Sequence, residues 1–459
     1  MKILHTSDWH IGRTLYEKKR YDEFEQFFIW LLKTLESENI DVLLIAGDIF
    51  DTGTPSNKAQ ELYYKFLCNV NKTKCQHIVI IGGNHDSASF LNAPQSILKS
   101  LNVHVVGAIS NNIEDEVLIL DILKTPNTDL GTVAERTSSR PRRTKNIPSP
   151  EISKLIICAV PYLRDKDIRT VNAGESLEDK AQNLIQGIKE HYSAVAELAL
   201  EKRDELYKEY TDKKPAYIPI IGTGHLFAAG GIAGDGVRDL YVGSLAYVNI
   251  EAFPKCFDYV ALGHLHIAQS LGGTEHIRYS GSPLPMGFGE AKQIKKLITI
   301  DFMESRQENH TNQEQCLLAS SPIKPSISEV CIPNFQMLER ISGNLDHITQ
   351  KIKELKTNHS NAWLEIEYTG SEIIPDLKTK LDEAILESNL EIRRVKNKRI
   401  SESIIESRFS QENLKDLNPN EVFDKCLEVN KVEEADRILL KASYQEILNS
   451  ILEEDIRVS

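Results

Sequence analysis

Positive charge is what this 459-residue chain is shortest of: 54 Lys and Arg face 67 Asp and Glu, a formal charge of -13. No whole-molecule positive field draws in a polyanion. A nucleic-acid substrate would have to be held by bound cations and local basic patches. Cysteine is also sparse, with seven residues and no CxxC pair, which argues against a thiolate zinc site or a disulfide framework. Cys68, Cys158 and Cys256 sit in or beside apolar runs and read as buried free thiols of a reducing cytosol. No apolar run approaches the ~20 residues of a membrane span. Only Ile3 and Leu4 separate Met1–Lys2 from His5, too little for a signal-peptide core. The expectation is a cytoplasmic protein with no membrane contact.

What is present is an ordinary globular composition, 41% hydrophobic and 26% charged, at a length that calls for two or three domains. Short apolar runs alternate with amphipathic stretches. Strands are expected at Ile3–Leu4, Val42–Asp48 and His77–Asp86. Between them, Tyr21–Ser37 carries Phe24, Phe27, Phe28, Leu31, Leu32 and Leu35 at helical spacing, and Lys58–Val70 places Leu62, Phe66 and Leu67 on one face. This β-α-β-α-β order implies an α/β fold with a largely parallel, buried sheet. Further strands are expected at Val103–Val106, Val117–Ile122, Leu155–Val160, Tyr217–Thr223, Tyr259–Leu262 and Lys296–Phe302, with a long helix over Leu177–Tyr210. Pro126–Pro150, rich in Thr, Ser, Pro and Arg, reads as a long loop, and Arg306–Gln315 as a linker. A second, small α/β unit follows: strand Ile327–Ile332, helix Asn344–Lys356, strand Ala362–Tyr368, helix Pro375–Glu387, strand Leu390–Val395. Two acidic amphipathic helices close the chain. The division is 1–305, 320–400 and 407–459, and there is no internal repeat.

The chemistry gathers at strand ends. Asp8 and His10, Asp48 and Asp51, Asn84, His85 and Asp86, His225, and the pair His264 and His266 each lie just past a predicted strand. In an α/β sheet the loops beyond the carboxyl ends share one rim, where ligands bind. Five loops therefore bring Asp, Asn and His to one place. Carboxylate, carboxamide and imidazole together suit Mn, Fe or Zn. Seven candidate ligands exceed the needs of one ion and suit two sharing a carboxylate, an arrangement that clamps a phosphate and acidifies a water. In the extended D-x-H and H-x-H segments alternate side chains point apart, so each pair can approach different sides of the site. The remaining histidines, His5, His77, His104, His191, His276, His310, His347 and His359, lack such context and read as structural or surface residues.

The motifs D-x-H, G-D-x-x-D, G-N-H-D, a lone His and G-H-x-H, in this order over about the first 300 residues, resemble the calcineurin-like metallophosphoesterase family. TSDWHIGR (Thr6–Arg13), AGDIFD (Ala46–Asp51), GGNHD (Gly82–Asp86) and YSGSPLPMGFGE (Tyr279–Glu290) resemble its DNA-nuclease branch. The resemblance implies a two-sheet sandwich flanked by helices, a small α/β capping domain and a helical tail. It implies two divalent ions, manganese above all: Asp8, His10 and His266 would hold one, Asn84, His225 and His264 the other, with Asp48 bridging. His85 would be a catalytic residue rather than a ligand, acting on the transition state or the leaving 3′ oxygen, and the Asp51 carboxylate would fix its tautomer. Asp86 would brace its loop. The implied partners are DNA, a coiled-coil ATPase bound by the tail, and a second copy of the chain.

Basic residues offer local sites for DNA phosphates. Arg13, Lys18, Lys19 and Arg20 follow the first loop. Arg136, Arg140, Arg142, Arg143 and Lys145 lie in the long loop, and Arg393, Arg394, Lys396, Lys398 and Arg399 end the last strand of the small unit. Two alternatives remain: a phosphoesterase for a phosphoprotein or small phosphodiester, and a non-catalytic DNA-end tether.

Overall fold

A computed structural model describes residues 1–124, 151–168, 176–209, 217–232, 248–302, 324–372, 374, 376–397 and scattered positions between 420 and 445. The expected long loop, the linker, Lys398, Arg399 and most of the tail lie outside the described residues. The chain begins with β1 (Lys2–Thr6), the hairpin β2 (Thr14–Leu15) and β3 (Lys18–Lys19), α1 (Tyr21–Ser37), β4 (Val42–Ala46), α2 (Asn57–Val70) and β5 (His77–Ile81). It continues through α3 (Ala88–Asn92), α4 (Gln95–Lys99), β6 (Val103–Val106), β7 (Val117–Lys124), β8 (Glu151–Cys158), α5 (Asp165–Ile168) and α6 (Leu177–Lys208). Then come β9 (Ile220–His225), β10 (Tyr259–Gly263), β11 (Gln269–Ser270), β12 (Ile277–Tyr279), β13 (Lys296–Asp301) and β14 (Ser326–Cys331). The second unit is β15 (Leu338–Gly343), α7 (Leu345–Thr357), β16 (Trp363–Tyr368), α8 (Leu377–Ile385) and β17 (Glu391–Asn397).

Two six-stranded sheets, ordered β14-β13-β1-β4-β5-β6 and β11-β12-β10-β9-β8-β7, form the body. β1, β4, β5 and β6 run parallel, as do β8, β9, β10 and β12. The fully apolar strands read from the sequence have two buried faces because the sheets stack on each other and each carries helices outside. Ile3, Val42, Leu44, Val79 and Ile81 of one sheet meet Ile157, Ile221, Tyr259 and Ala261 of the other. The opposite face of the first sheet packs on α1 and α2, and that of the second on α6 through Ile188, Tyr192 and Val195. Ser56 and Ser176 cap α2 and α6 with their side-chain oxygens. This is the expected sandwich flanked by helices.

Three details depart from expectation. The strand expected to open the second unit at Ile327–Ile332 is β14, which pairs antiparallel with β13 over its whole length and extends the first sheet. The second unit instead opens on β15 in the parallel sheet β15-β16-β17. Cys68 is exposed rather than buried, because it lies on the outer side of α2.

In the second unit α7 and α8 pack on the sheet through Ile348, Ile352 and Leu381. The unit seats on the body where Leu338 and Trp363 meet Leu15 and Phe288. Lys18 bonds both carboxylate oxygens of Glu391 at 3.0 Å, and Arg394 reaches the Tyr16 hydroxyl at 2.8 Å. In the tail, the Phe423 and Tyr444 rings stack at 4.0 Å and Lys441 pairs with Asp424 at 2.9 Å. No described helix is long and apolar enough to cross a membrane.

Candidate metal centre

The loops leaving β1 and β4 run side by side past the sheet edge: Asp8 N–H donates to Gly47 O and His10 N–H to Asp48 O, both at 3.0 Å. Trp9, between them, is buried against Phe27, Phe28 and Phe66 and donates its Nε1–H to Thr6 Oγ1 at 3.0 Å. That anchor turns Asp8 and His10 the other way. Asp8, His10, Asp48 and His264 all have positive φ, 53°, 49°, 52° and 105°, which non-glycine residues adopt at a cost and which clusters at functional sites. A Cβ at Gly83 would collide with the Asp48 amide and carboxylate, and one at Gly263 with Ala46 O and the His225 ring. Glycine is what lets these loops close on each other.

All seven candidate ligands converge, each buried except Asn84, which is half-buried. His10 Nε2 lies 3.3 Å from His266 Nε2, and ligand atoms of Asp8, His10 and His266 all fall within 4.8 Å of one another. His225 Nε2 lies 3.0 Å from Asn84 Oδ1. Two ligand atoms ~2.1 Å from one ion stand roughly 3.0–3.4 Å apart between octahedral and tetrahedral angles, so each pair has the spacing of ligands to a single cation. Asp48 lies between them, its Oδ2 3.5 Å from His10 Nε2 and 3.4 Å from His225 Nε2. The D-x-H pair thus converges on one side of the site, contrary to the expectation of divergence. In the H-x-H pair, His266 faces His10 while the His264 ring packs 5.4 Å from that of His225. His264 Nε2 is buried with no hydrogen-bond partner among the described residues, an orphaned lone pair or proton that a cation would satisfy. The residues fit a pair of divalent ions.

The second layer sets orientations. His225 Nδ1–H donates to Ala46 O at 3.0 Å, which turns its Nε2 to Asp48 and Asn84. Asp48 Oδ1 accepts the His85 N–H at 2.9 Å. Asp8 accepts the His264 N–H at 2.9 and 3.1 Å and the Ser7 hydroxyl, which also contacts Ser280 Oγ. Asp86 accepts N–H bonds from Ile49, Phe50 and Gly83 at 3.1, 3.0 and 2.9 Å, fastening the Asn84 loop to the Asp48 loop. Asp51 corrects the expected dyad: its backbone carbonyl, not its carboxylate, meets His85 Nδ1 at 2.9 Å. The carboxylate instead lies 3.1 Å from Arg13 Nη1 and 3.4 Å from His10 Nδ1. The resemblance implied a carboxylate contact to His85, and the contact seen is to the Asp51 carbonyl.

Packed charges shift the titrations. Burial pushes Asp8 up to about 6, and the like charge of Asp48 adds to it against His225, His10 and Ser7. Burial also opposes the charge on Asp48, but His225, His85 and His10 outweigh it and hold that carboxyl well below its usual range. Burial alone would lower His225, yet Asp48, Asp8 and the Ala46 carbonyl raise it to about 9. His264 is driven well below the imidazole range by burial and the neighbouring His225. Beside the negative Asp48, His225 is favoured in its protonated form at neutral pH, and a cation bound there would displace that proton.

Several of the cations read as phosphate sites are occupied within the molecule. Arg20 is buried, bonded to Glu23 and to Pro285 O, so it does not reach phosphate as expected. Lys396 pairs with buried Glu365 at 3.0 Å, and Arg393 with Glu391 at 3.4 Å. Arg136, Arg140, Arg142, Arg143 and Lys145 lie outside the described residues. Sequence reasoning missed Glu290 and Lys295, a buried pair at 2.6 Å beside His266; Glu290 lies in the YSGSPLPMGFGE stretch, but nothing in the spacing marks either residue.

The calcineurin-like phosphoesterase family model matches residues 1–268, and that of the Type 5 capsule protein repressor C-terminal domain matches residues 334–431. By fold and site the chain is a member of the calcineurin-like phosphoesterase family, and it is a metal-dependent phosphodiesterase. It is 32% identical over 454 residues to SbcD of the SbcCD nuclease from Escherichia coli strain K12, covering 98% of both chains. The SbcD chain of Rhodobacter capsulatus is 34% identical over 68% of each chain, and that of Bacillus subtilis 28% over 70% of this chain and 71% of its own. Within the phosphoesterases, the chain belongs to the SbcD family of nucleases. A solved dimetal phosphatase from Danio rerio overlaps 65% of this chain and 91% of its own at 11% identity and a TM-score of 0.31, too low to bear on the fold.

Proposed function

We propose that the chain is the nuclease component of an SbcCD-like complex, cutting DNA phosphodiester bonds with two divalent ions, manganese as the native metal. The observation that carries the reading is Asp48 Oδ2, within 3.5 Å of ligand nitrogens on both sides of the site. Asp8, His10 and His266 would hold one ion, Asn84, His225 and His264 the other, and Asp48 would be shared. A pair of ions held by these residues would supply charge to neutralise a phosphate and to acidify an attacking water. The donor set suits Mn, Fe or Zn, and resemblance to the nuclease branch favours Mn.

The chain's own residues supply orientation and proton handling. His85 Nδ1–H is held by Asp51 O, so its Nε2 faces the site, 3.9 Å from Asp48 Oδ2. There it can hold the proton that the leaving 3′ oxygen needs. Asp51 acts on His85 through its backbone, and through its carboxylate on Arg13 and His10. The activities proposed are exonuclease on duplex ends and endonuclease on hairpins and single strands, in DNA repair, recombination and replication in the cytoplasm. The second unit would select and orient DNA, residues 407–459 would bind an SbcC-like coiled-coil ATPase, and two copies of the chain would pair. The match to the E. coli SbcD chain supports the complex, since both chains are covered to 98%.

The test compares Mn-dependent turnover of blunt duplex, hairpin and a small phosphodiester, with and without an SbcC-type partner. Cleavage of DNA, made ATP-dependent on duplex by the partner, is expected. Turnover of the small diester alone would support the general phosphoesterase instead, and absence of both with no bound Mn the tether.

A further inference from the structure

His266 is braced from behind by a buried ion pair. Glu290 is fully buried. Its Oε2 accepts Lys295 Nζ at 2.6 Å and the Met286 N–H at 2.8 Å. Its Oε1 has no hydrogen-bond partner among the described residues and lies 3.8 Å from His266 Nδ1. Lys295 Nζ also donates to His266 O at 3.1 Å and Ser282 Oγ at 3.0 Å. One pair of residues therefore addresses both the backbone and the ring of a single histidine, on the side away from His10.

We propose that Glu290 is a positioning residue for His266. Its carboxylate favours the tautomer with the proton on Nδ1, leaving the Nε2 lone pair directed at His10 and the first ion. A carboxylate behind a metal-binding imidazole fixes tautomer and ring angle and makes the ring a better donor. Lys295 neutralises the buried charge, so the arrangement avoids an unpaired carboxylate in the core. The turn carrying Glu290 also carries Phe288, which packs with Leu15 of the hairpin and with Leu338 and Trp363 of the second unit. The hairpin begins four residues after His10, so the seat of the second unit is continuous in sequence with the segments that carry His10 and Glu290.

The inference rests on the two-ion reading, and its test separates the two. Full-length Glu290→Gln, isosteric, and the double variant Glu290→Gln/Lys295→Met, which removes both buried charges, are compared with wild type. Manganese affinity is read by calorimetry, and imidazole 15N shifts are read on metal-free protein with the His266 signal assigned from His266→Gln. Expected are a tenfold or greater loss of affinity for one ion in both variants, the other ion unchanged, in line with the ~10–100-fold cost of removing such a partner. His266 should also pass from the Nδ1–H tautomer to a mixture. Unchanged tautomer and affinity in the double variant would overturn the role of Glu290. A wild type that binds fewer than two ions would overturn the two-ion reading, while the tautomer measurement still decides on Glu290.

Discussion

Replacing Asp86 tests how the two central loops are joined. Its carboxylate takes three backbone N–H groups, from Ile49, Phe50 and Gly83, at 2.9–3.1 Å, at a site 4% exposed. Asp86→Ala leaves all three without that acceptor, at ~1–3 kcal/mol each. A water entering the space vacated by the carboxylate recovers part, so the net loss is about 3–6 kcal/mol. At ~2–4 °C per kcal/mol the melting temperature should fall by roughly 6–24 °C. Asp86→Asn keeps an oxygen for part of the set, turns an NH2 toward donors, and should lose about half as much. The assay is thermal unfolding by circular dichroism in chelator, so that metal binding does not mask the effect. Asp86→Ala should also weaken metal binding, because Asp48 and Asn84 lie on the two loops it joins. Melting within a degree or two of wild type would refute the reasoning, since the loops would then be held together by other contacts.

Changing His85 to Gln should leave metal stoichiometry intact and lower cleavage by roughly 10²–10⁴-fold, the usual weight of a positioned proton donor; unaltered cleavage would remove it from the chemistry. Manganese binding should release protons, because His225 is raised to about 9 without metal and must be neutral to coordinate. Raised above its ordinary 6.5, His225 stabilises the metal-free fold most below pH 6.5 and loses that contribution as pH rises through 9, so metal affinity should climb across this window. Calorimetry in buffers of different ionisation enthalpy measures the release, and none at pH 7 would contradict the assignment. Trp9→Ala should cost ~3–5 kcal/mol and weaken metal binding together, since the same ring anchors the loop of Asp8 and His10; a loss of stability with unchanged affinity would deny the coupling.

Much of the body could be read from its residues because burial writes a simple pattern. Tyr21–Ser37 is the helix α1 end to end, since Phe24, Phe27, Phe28, Leu31 and Leu35 all face the first sheet. The strands under the metal loops are apolar on both faces and short, so their ends, and the ligands beyond them, are well marked. β15 was not legible: LERISG buries only Leu338 and Ile341 fully, and three residues apart these lie on opposite faces of the strand, one against the body and one in the core of the second unit, so no alternating apolar pattern marks it. β14 was visible as a strand, but nothing in Ser326–Cys331 says which sheet edge it joins, because partner choice depends on distant β13. The seven candidate ligands could be proposed because residue types and strand-end positions single them out, and the structure brings them together. Side-chain partners could not: Arg20 turns inward to Glu23, and the Asp51 carbonyl takes the place expected for its carboxylate.

The decisive measurement is a manganese titration of metal-free, full-length protein by calorimetry, beside Asp48→Asn. Two ions per wild-type chain, with Asp48→Asn weakening both because its Oδ2 faces the ligands of each, is the predicted result. A single ion, or an Asp48→Asn variant that loses one site and keeps the other at full affinity, would contradict a shared bridge.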